Sequence, residues 1–170
     1  EGLSPARTMR IAESLYMDGY ISYPRVDNTV YPSSLDLAAT LKNIMGNPAY
    51  KPYCEELLKK GNLKATRGKK ETTDHPPIYP TASATPDDLA PAEYKLYNLI
   101  ARRFMATLSD AAVVEGTKVT LDVQGEPFVA KGDVLVNPGF RAIYPYGLKK
   151  DEQLPSLSEG QEVVFGGATC

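Results

Sequence analysis

Gly19-Tyr20-Ile21-Ser22-Tyr23-Pro24-Arg25-Val26-Asp27-Asn28 marks the point where a helical pattern gives way to extended chain. Pro24 clashes with the backbone and Cβ of its predecessor, which drives Tyr23 out of the α region. In an extended segment residues two apart point to the same side, so Tyr23, Arg25 and Asp27 are expected on one face. A phenol beside a guanidinium suits phosphoryl transfer: the phenolate oxygen attacks phosphorus while the planar fork of donors holds phosphate oxygens. A free phenol keeps its proton until about pH 10, so attack needs loss of that proton or positive charge nearby. Arg25 supplies charge but is a poor base. The plain alternative is a tyrosine packed in a turn, and the chain contains 11 tyrosines.

Upstream of this stretch, Ser4 is a good N-cap and Pro5 suits the first helical position. Met9, Ala12, Leu15 and Tyr16 recur at helical spacing until Gly19 stops the helix. Downstream, a second helix is expected to start near Ser33 or Ser34, with Leu35, Ala38, Leu41 and Met45 inside, and to end at Gly46. A third runs from about Pro52 to Lys60. Residues 59–74 crowd six lysines and arginines among glycines and few apolar residues, and read as a mobile basic loop, which is ordinarily a solvated face. Thr85-Pro86-Asp87-Asp88 reads as a helix start. Pro91 opens a longer helix carrying Tyr94, Tyr97, Ala101, Phe104 and Leu108 on one side, with Arg102 and Arg103 as candidates to reach phosphate.

From Val113 the period becomes two. Val119, Leu121 and Val123 alternate with polar residues, Gln124-Gly125 forms a turn, and Phe128 with Ala130 begins a second strand. Leu135-Val136, Phe140–Tyr144 and Val163–Phe165 are expected as further short strands. The result is an α+β chain: a helical domain over 1–111 and a β-rich segment over 112–170 that calls for partner strands from elsewhere.

Composition permits this. A chain of 170 residues, 42% hydrophobic and 24% charged, is ordinary for a globular protein and excludes disordered or fibrous classes. No apolar run reaches membrane-spanning length and no signal peptide stands at the visible terminus, so a cytoplasmic, nucleoid-associated parent is expected. The chain starts at Glu1, and we expect an internal fragment of a longer polypeptide. Cys54 and Cys170 are too few and too far apart for a zinc ribbon, and both are expected as free thiols. The net charge of −2 argues against indiscriminate adhesion to DNA. Residues 1–110 hold 14 basic and 13 acidic side chains and the remainder 5 and 8, so any DNA contact must be local.

Two segments carry a family resemblance. Ser4-Pro5-Ala6-Arg7-Thr8-Met9-Arg10-Ile11-Ala12-Glu13-Ser14-Leu15-Tyr16, running on through Asp27, closely resembles the active-site region of type IA DNA topoisomerases, the topoisomerase I and III family. Asp74-His75-Pro76-Pro77-Ile78-Tyr79-Pro80-Thr81 is similar to that family's histidine segment, in the right order and at a similar distance. Phe128 to Pro145 resembles the family's β-rich arch more weakly. Ser22 stands where many relatives have Thr, Asn28 where many have Ser or Cys, and Pro76-Pro77 where many have less rigid residues.

The resemblance implies a winged-helix (CAP-like) domain bearing the active-site tyrosine, followed by part of the arch. It also implies that Tyr23 cleaves one strand of single-stranded DNA through a 5′-phosphotyrosyl bond, and that a second strand passes before the 3′-hydroxyl reseals the break without ATP. Tyr23 and Arg25 would be catalytic, with Arg25 on the scissile phosphate and His75 on a neighbouring phosphate or organising the site. Ser22, Asp27, Arg7, Lys69 and Lys70 complete the DNA-contacting set. The family's Mg²⁺ would be bound by a domain absent from this chain, since no second histidine, cysteine pair or Asp-x-Asp accompanies His75. The expected partners are single-stranded DNA and the missing domains of a monomeric parent, with no membrane. The isolated piece is expected to be inactive. The competing reading is a non-catalytic single-stranded nucleic-acid binding module in which Tyr23 stacks on a base.

Overall fold

The structure is a computed structural model that describes residues 2–147, 153–164 and 166. The chain divides into two compact units: Glu1–Ala111 together with Phe140–Tyr146, and Ala112–Gly139 together with Gly147–Cys170. Helices α1 (Pro5–Met17), α2 (Leu37–Ile44), α3 (Lys51–Lys59) and α4 (Pro91–Thr107) build the first unit, and strands β1 (Val113–Val123) and β2 (Glu126–Asn137) lie in the second. Among the described residues this is an α+β chain of four α-helices and one two-stranded sheet.

Helix α1 is delimited as its sequence dictates. Ser4 accepts from the Arg7 backbone N–H, Pro5 occupies the first position, and the helix closes in a Schellman arrangement. There Tyr20 N–H donates to Leu15 O at 2.8 Å and Gly19 N–H to Tyr16 O at 3.0 Å. Gly19 sits at φ +81°, a left-handed value that glycine adopts without the penalty of a Cβ. This stop turns the chain into the extended run that carries Tyr23.

Helix α2 starts later than its serines suggest. Leu35 N–H bonds back to Pro32 O at 3.1 Å, so Ser33 and Ser34 are consumed in a turn. Asp36 becomes the N-cap, accepting from Ala39 N–H at 2.9 Å. The inner face is then Leu41 and Ile44, while Met45 is half-buried. Helix α3 lies where its spacing predicts. Thr85–Asp88 is a single turn rather than a helix start, because the Asp88 carboxylate accepts from both Thr85 N–H and its hydroxyl at 2.7 Å.

The core of the first unit gathers Leu15 of α1, Leu41 and Ile44 of α2, Cys54 of α3, and Tyr97, Ala101, Phe104 and Met105 of α4, all fully buried. Tyr31 stands edge-on to Phe104 with centroids 5.7 Å apart. A buried amide ties this core together: Asn47 donates to Ala84 O at 2.7 Å and to the Tyr94 hydroxyl at 3.1 Å, and accepts from Ala49 N–H. Arg102 is likewise structural, donating to Asn98 Oδ1 and to Ile143 O. Arg103 lies over the Tyr144 ring at 5.3 Å.

In the second unit β1 and β2 pair antiparallel across Gln124-Gly125. Both turn residues have positive φ, +55° and +89°, as a two-residue primed turn requires. Val119, Leu121 and Val123 are half-buried and their neighbours exposed, which matches the period-two reading. Leu135-Val136 is not a separate strand but the end of β2. Phe140–Tyr144, expected as a strand, instead contains a 3₁₀ turn at Gly139–Ala142. Pro138 has no N–H to continue a ladder, and Ile143 and Tyr144 N–H both return to Phe140 O. Val163 and Val164 lie in irregular chain, not in a strand, and Phe165 and Cys170 fall outside the described residues. Cys54 is a free thiol, as expected.

Burial raises the Tyr31, Tyr50 and Tyr97 phenols above their ordinary range and pushes the Cys54 thiol up to about 12. Unfolded tyrosines lose their protons near pH 10 while these native ones keep theirs. Their contribution to stability is therefore complete below about pH 10 and is lost as the pH rises further. The unfolded Cys54 thiol ionises at about pH 8.5 while the native one does not, so we expect the urea midpoint to begin to fall above about pH 8.5 and to fall more steeply above about pH 10, and Tyr97→Phe to make the steeper part shallower.

Candidate functional site

Two segments far apart in sequence are laced together beside α1. Ser22 N–H donates to Tyr79 O at 2.9 Å, and Thr81 N–H donates to Tyr20 O at 3.0 Å, on either side of an antiparallel bridge between Ile21 and Pro80. Pro80 has no N–H, so side chains reinforce the lacing. The Ser22 hydroxyl accepts from Tyr79 N–H at 3.0 Å, and the Thr81 hydroxyl donates to Gly19 O at 2.7 Å. Ile21, only 2% exposed, anchors the pairing in the core.

This lacing sets Tyr23 against His75. Their ring centroids lie 4.7 Å apart at 46°, and Tyr16 of α1 meets Tyr23 edge-on at 5.3 Å and 72°. Tyr23 is half-buried and His75 exposed. The backbone before His75 is gripped by Asn28, whose amide donates to Thr72 O and to His75 O, each at 2.9 Å, and accepts from Val30 N–H at 2.9 Å. Asp74, next to His75, has its carboxyl held below the usual range, first by the Thr72 hydroxyl and then by backbone N–H groups.

Of the expected charged side chains, Arg25, Asp27 and Lys70 are already engaged. Arg25, three residues into the extended segment from Ser22, turns onto Glu13 of α1, with Nε and Nη2 each 2.6 Å from Oε1. Both partners are exposed, 57% and 40%, so this pair adds little to stability and can be exchanged. Asp27 pairs with Lys70. Arg25 and Asp27 are both exposed, whereas the preceding Pro24, the intervening Val26 and the following Asn28 turn inward. Arg7, in the first turn of α1, and Lys69 are exposed and have no carboxylate partner among the described residues.

The stretch expected as a mobile basic loop is tied down. Thr29 N–H donates to Lys70 O at 2.8 Å, Lys70 N–H to the Thr29 hydroxyl at 2.9 Å, and Gly68 N–H to Thr29 O at 3.0 Å. A Cβ at Gly68 would lie 2.4 Å from the Thr29 side chain, so glycine is what permits this approach. Within the loop Arg67 pairs with Glu71, and Lys60, at the end of α3, reaches Asp110 at 2.6 Å.

Sequence reasoning passed over Glu13, Tyr16 and Thr81 and noted Asn28 only as a departure from relatives. The signal for the first two was present, since they lie one helical turn apart on α1. Asn28 and Thr81 act through backbone groups of a distant segment, which no spacing rule reveals. Among the described residues no group of three or more His, Cys, Asp or Glu side chains converges on one position.

A family model for DNA topoisomerase matches residues 2–169. The chain belongs to the type IA DNA topoisomerase family. It is 43% identical over 158 residues to DNA topoisomerase 1 of Archaeoglobus fulgidus, covering 93% of this chain and 24% of that protein. It is 42% identical over 163 residues to DNA topoisomerase 1 of Thermoplasma acidophilum, covering 95% of this chain and 21% of that protein. The chain thus spans about a quarter of the length of these topoisomerases. Its fold is similar to that of full-length topoisomerase I from Thermotoga maritima, with a TM-score of 0.65 at 22% identity over 94% of this chain and 26% of that one.

His75 is the single histidine, so its ring protons give resonances free of overlap from other histidines. We expect Tyr23→Leu in this topoisomerase segment to shift them, through loss of the ring 4.7 Å away, and Tyr53→Leu to leave them unmoved.

Proposed function

We propose that this chain supplies the nucleophile side of a type IA cleavage site. Tyr23 Oη attacks a phosphodiester of single-stranded DNA. The Oη–P bond forms as the P–O3′ bond breaks, the phenol proton departs, and the 3′-oxygen takes up a proton as it leaves. The phosphotyrosyl bond conserves the energy of the phosphodiester, so the reverse attack by the 3′-hydroxyl reseals the strand without ATP. Between the two steps the gap passes another strand, which changes DNA topology.

The observation that carries this reading is the packing of Tyr23 between Tyr16 and His75 beside an exchangeable arginine. Arg25 releases Glu13 and takes the scissile phosphate, trading an exposed carboxylate for a bidentate phosphate contact. His75, exposed at the edge of the cluster, meets a neighbouring phosphate. Lys69 and Arg7 lack a carboxylate partner among the described residues and suit the flanking backbone, while Lys70 must leave Asp27 to join them. The helical unit corresponds to the winged-helix domain of these enzymes and the β-ribbon to part of their arch. Mg²⁺, which supplies electrostatic support to the reacting phosphate in the family, belongs to residues outside this chain. The chain alone therefore neither relaxes supercoiled DNA nor cleaves efficiently.

The aromatic cluster also fits a second reading, in which Tyr23 only stacks on a base. Trapping with denaturant in a full-length topoisomerase carrying this segment separates the two. With Mg²⁺ and end-labelled single-stranded DNA, label should stay covalently on the Tyr23 peptide, and Tyr23→Phe should abolish it while single-stranded DNA affinity changes less than about threefold. An adduct that survives Tyr23→Phe would place the nucleophile on another residue, whereas no adduct in the parent under cleavage conditions leaves binding without catalysis as the better reading.

A further inference from the structure

We propose that Asn28 is a positioning residue for the tyrosine site, acting through His75; this rests on the reading of Tyr23 and His75 given above. Asn28 is only 8% exposed, and all three of its principal hydrogen-bonding groups are used. Both hydrogens of its amide nitrogen go to carbonyls of the histidine segment, Thr72 O and His75 O, each at 2.9 Å. Its oxygen accepts from Val30 N–H at 2.9 Å, which fixes the amide plane from its own side of the chain.

The consequence is mechanical. The extended segment carrying Tyr23 and the segment carrying His75 are laced at Ser22–Tyr79 and at Tyr20–Thr81, but those bonds all lie on the C-terminal side of His75. Pro76 and Pro77 follow the histidine and cannot donate a backbone hydrogen bond to extend the lacing towards it. On the N-terminal side the nearest ties are those of Lys70 to Thr29. Between these two sets of ties Asn28 alone, among the hydrogen bonds of the described residues, grips the backbone of His75 from the tyrosine strand. The ring contact of 4.7 Å between His75 and Tyr23 is therefore set by an amide that never touches the reacting groups.

Residue type matters for a stated reason. Asparagine offers two N–H donors and one acceptor in a single plane, so it can satisfy two carbonyls and one amide together. Serine offers one donor and keeps an acceptor, so it can hold one of the two carbonyls. Alanine holds neither and leaves both without a partner from this side.

The test uses a full-length topoisomerase carrying this segment, with single-turnover formation of the covalent adduct on a single-stranded oligonucleotide, for Asn28→Ala, Asn28→Ser, His75→Ala and Asn28→Ala/His75→Ala. We expect Asn28→Ala to slow adduct formation about ten- to a hundredfold, the scale of a small misplacement at a reacting centre, with Asn28→Ser in between. In the His75→Ala background Asn28→Ala should then slow it no further, because its route of action is gone. Urea midpoints separate position from stability: Asn28→Ala should lower them equally in both backgrounds. Independently, in the 170-residue chain itself, Asn28→Ala should remove the dependence of the His75 ring resonances on Tyr23. Wild-type rates for Asn28→Ala, or a slowing that multiplies with that of His75→Ala, would overturn the proposal. A wild-type rate for His75→Ala alone would overturn it too, and would identify the fault in the role of His75. Loss of the Tyr23 adduct reading itself is recognised separately, by an adduct that persists in Tyr23→Phe.

Discussion

The short antiparallel pairing of Tyr20–Ser22 with Tyr79–Thr81 is the constraint on which the site depends. Closing a loop of that length costs conformational entropy, though the cost grows only slowly with length. The closure holds because the helices α2 and α3 fill it with core, and because Ile21 seats the paired strand against that core. Without this pairing Tyr23 would be a tyrosine in an exposed connection and His75 a histidine in a loop. With it, a phenol, an imidazole and a second tyrosine share one cluster at the end of α1.

Electrostatics explains how a chain of net charge −2 can serve a polyanion. Three cations of the first unit are balanced by carboxylates within the chain: Arg25 by Glu13, Lys70 by Asp27, Arg67 by Glu71. Exposed pairs of this kind contribute little to stability, so a phosphate can displace the carboxylate at small cost. Such a surface is quiet towards DNA in general and responsive where a strand is placed across it. That behaviour is what the proposed function requires of a site that must bind, cleave and release a strand, rather than cling to it.

Much of this was legible in the sequence where local rules govern. Ser4, Pro5 and Gly19 delimit α1, Pro91 opens α4, and Gln124-Gly125 turns the hairpin, each through chemistry confined to a few residues. Tyr23 and His75 were legible through family resemblance, and their contact was not, because it is made by backbone bonds between remote segments. The errors have the same origin. Ser33 and Ser34 lost the helix cap to Asp36 through a turn at Pro32. Phe140–Tyr144 has the apolar content of a strand, but Pro138 denies it a ladder. The basic run at 59–74 has the composition of a free loop, yet Thr29 and Asn28 hold its backbone. Arg25 pairs with Glu13, a partner that only the folded chain reveals.

The most direct test is the structure of a full-length topoisomerase carrying this segment, with Tyr23→Phe to halt chemistry, bound to a short single-stranded oligonucleotide. The nucleophile reading requires a backbone phosphate at the edge of the substituted ring, where the Tyr23 hydroxyl would stand, with Arg25 swung from Glu13 onto that phosphate and His75 on its neighbour. A base stacked flat on the ring at position 23, with Arg25 still on Glu13 and no phosphate at the ring edge, would contradict it.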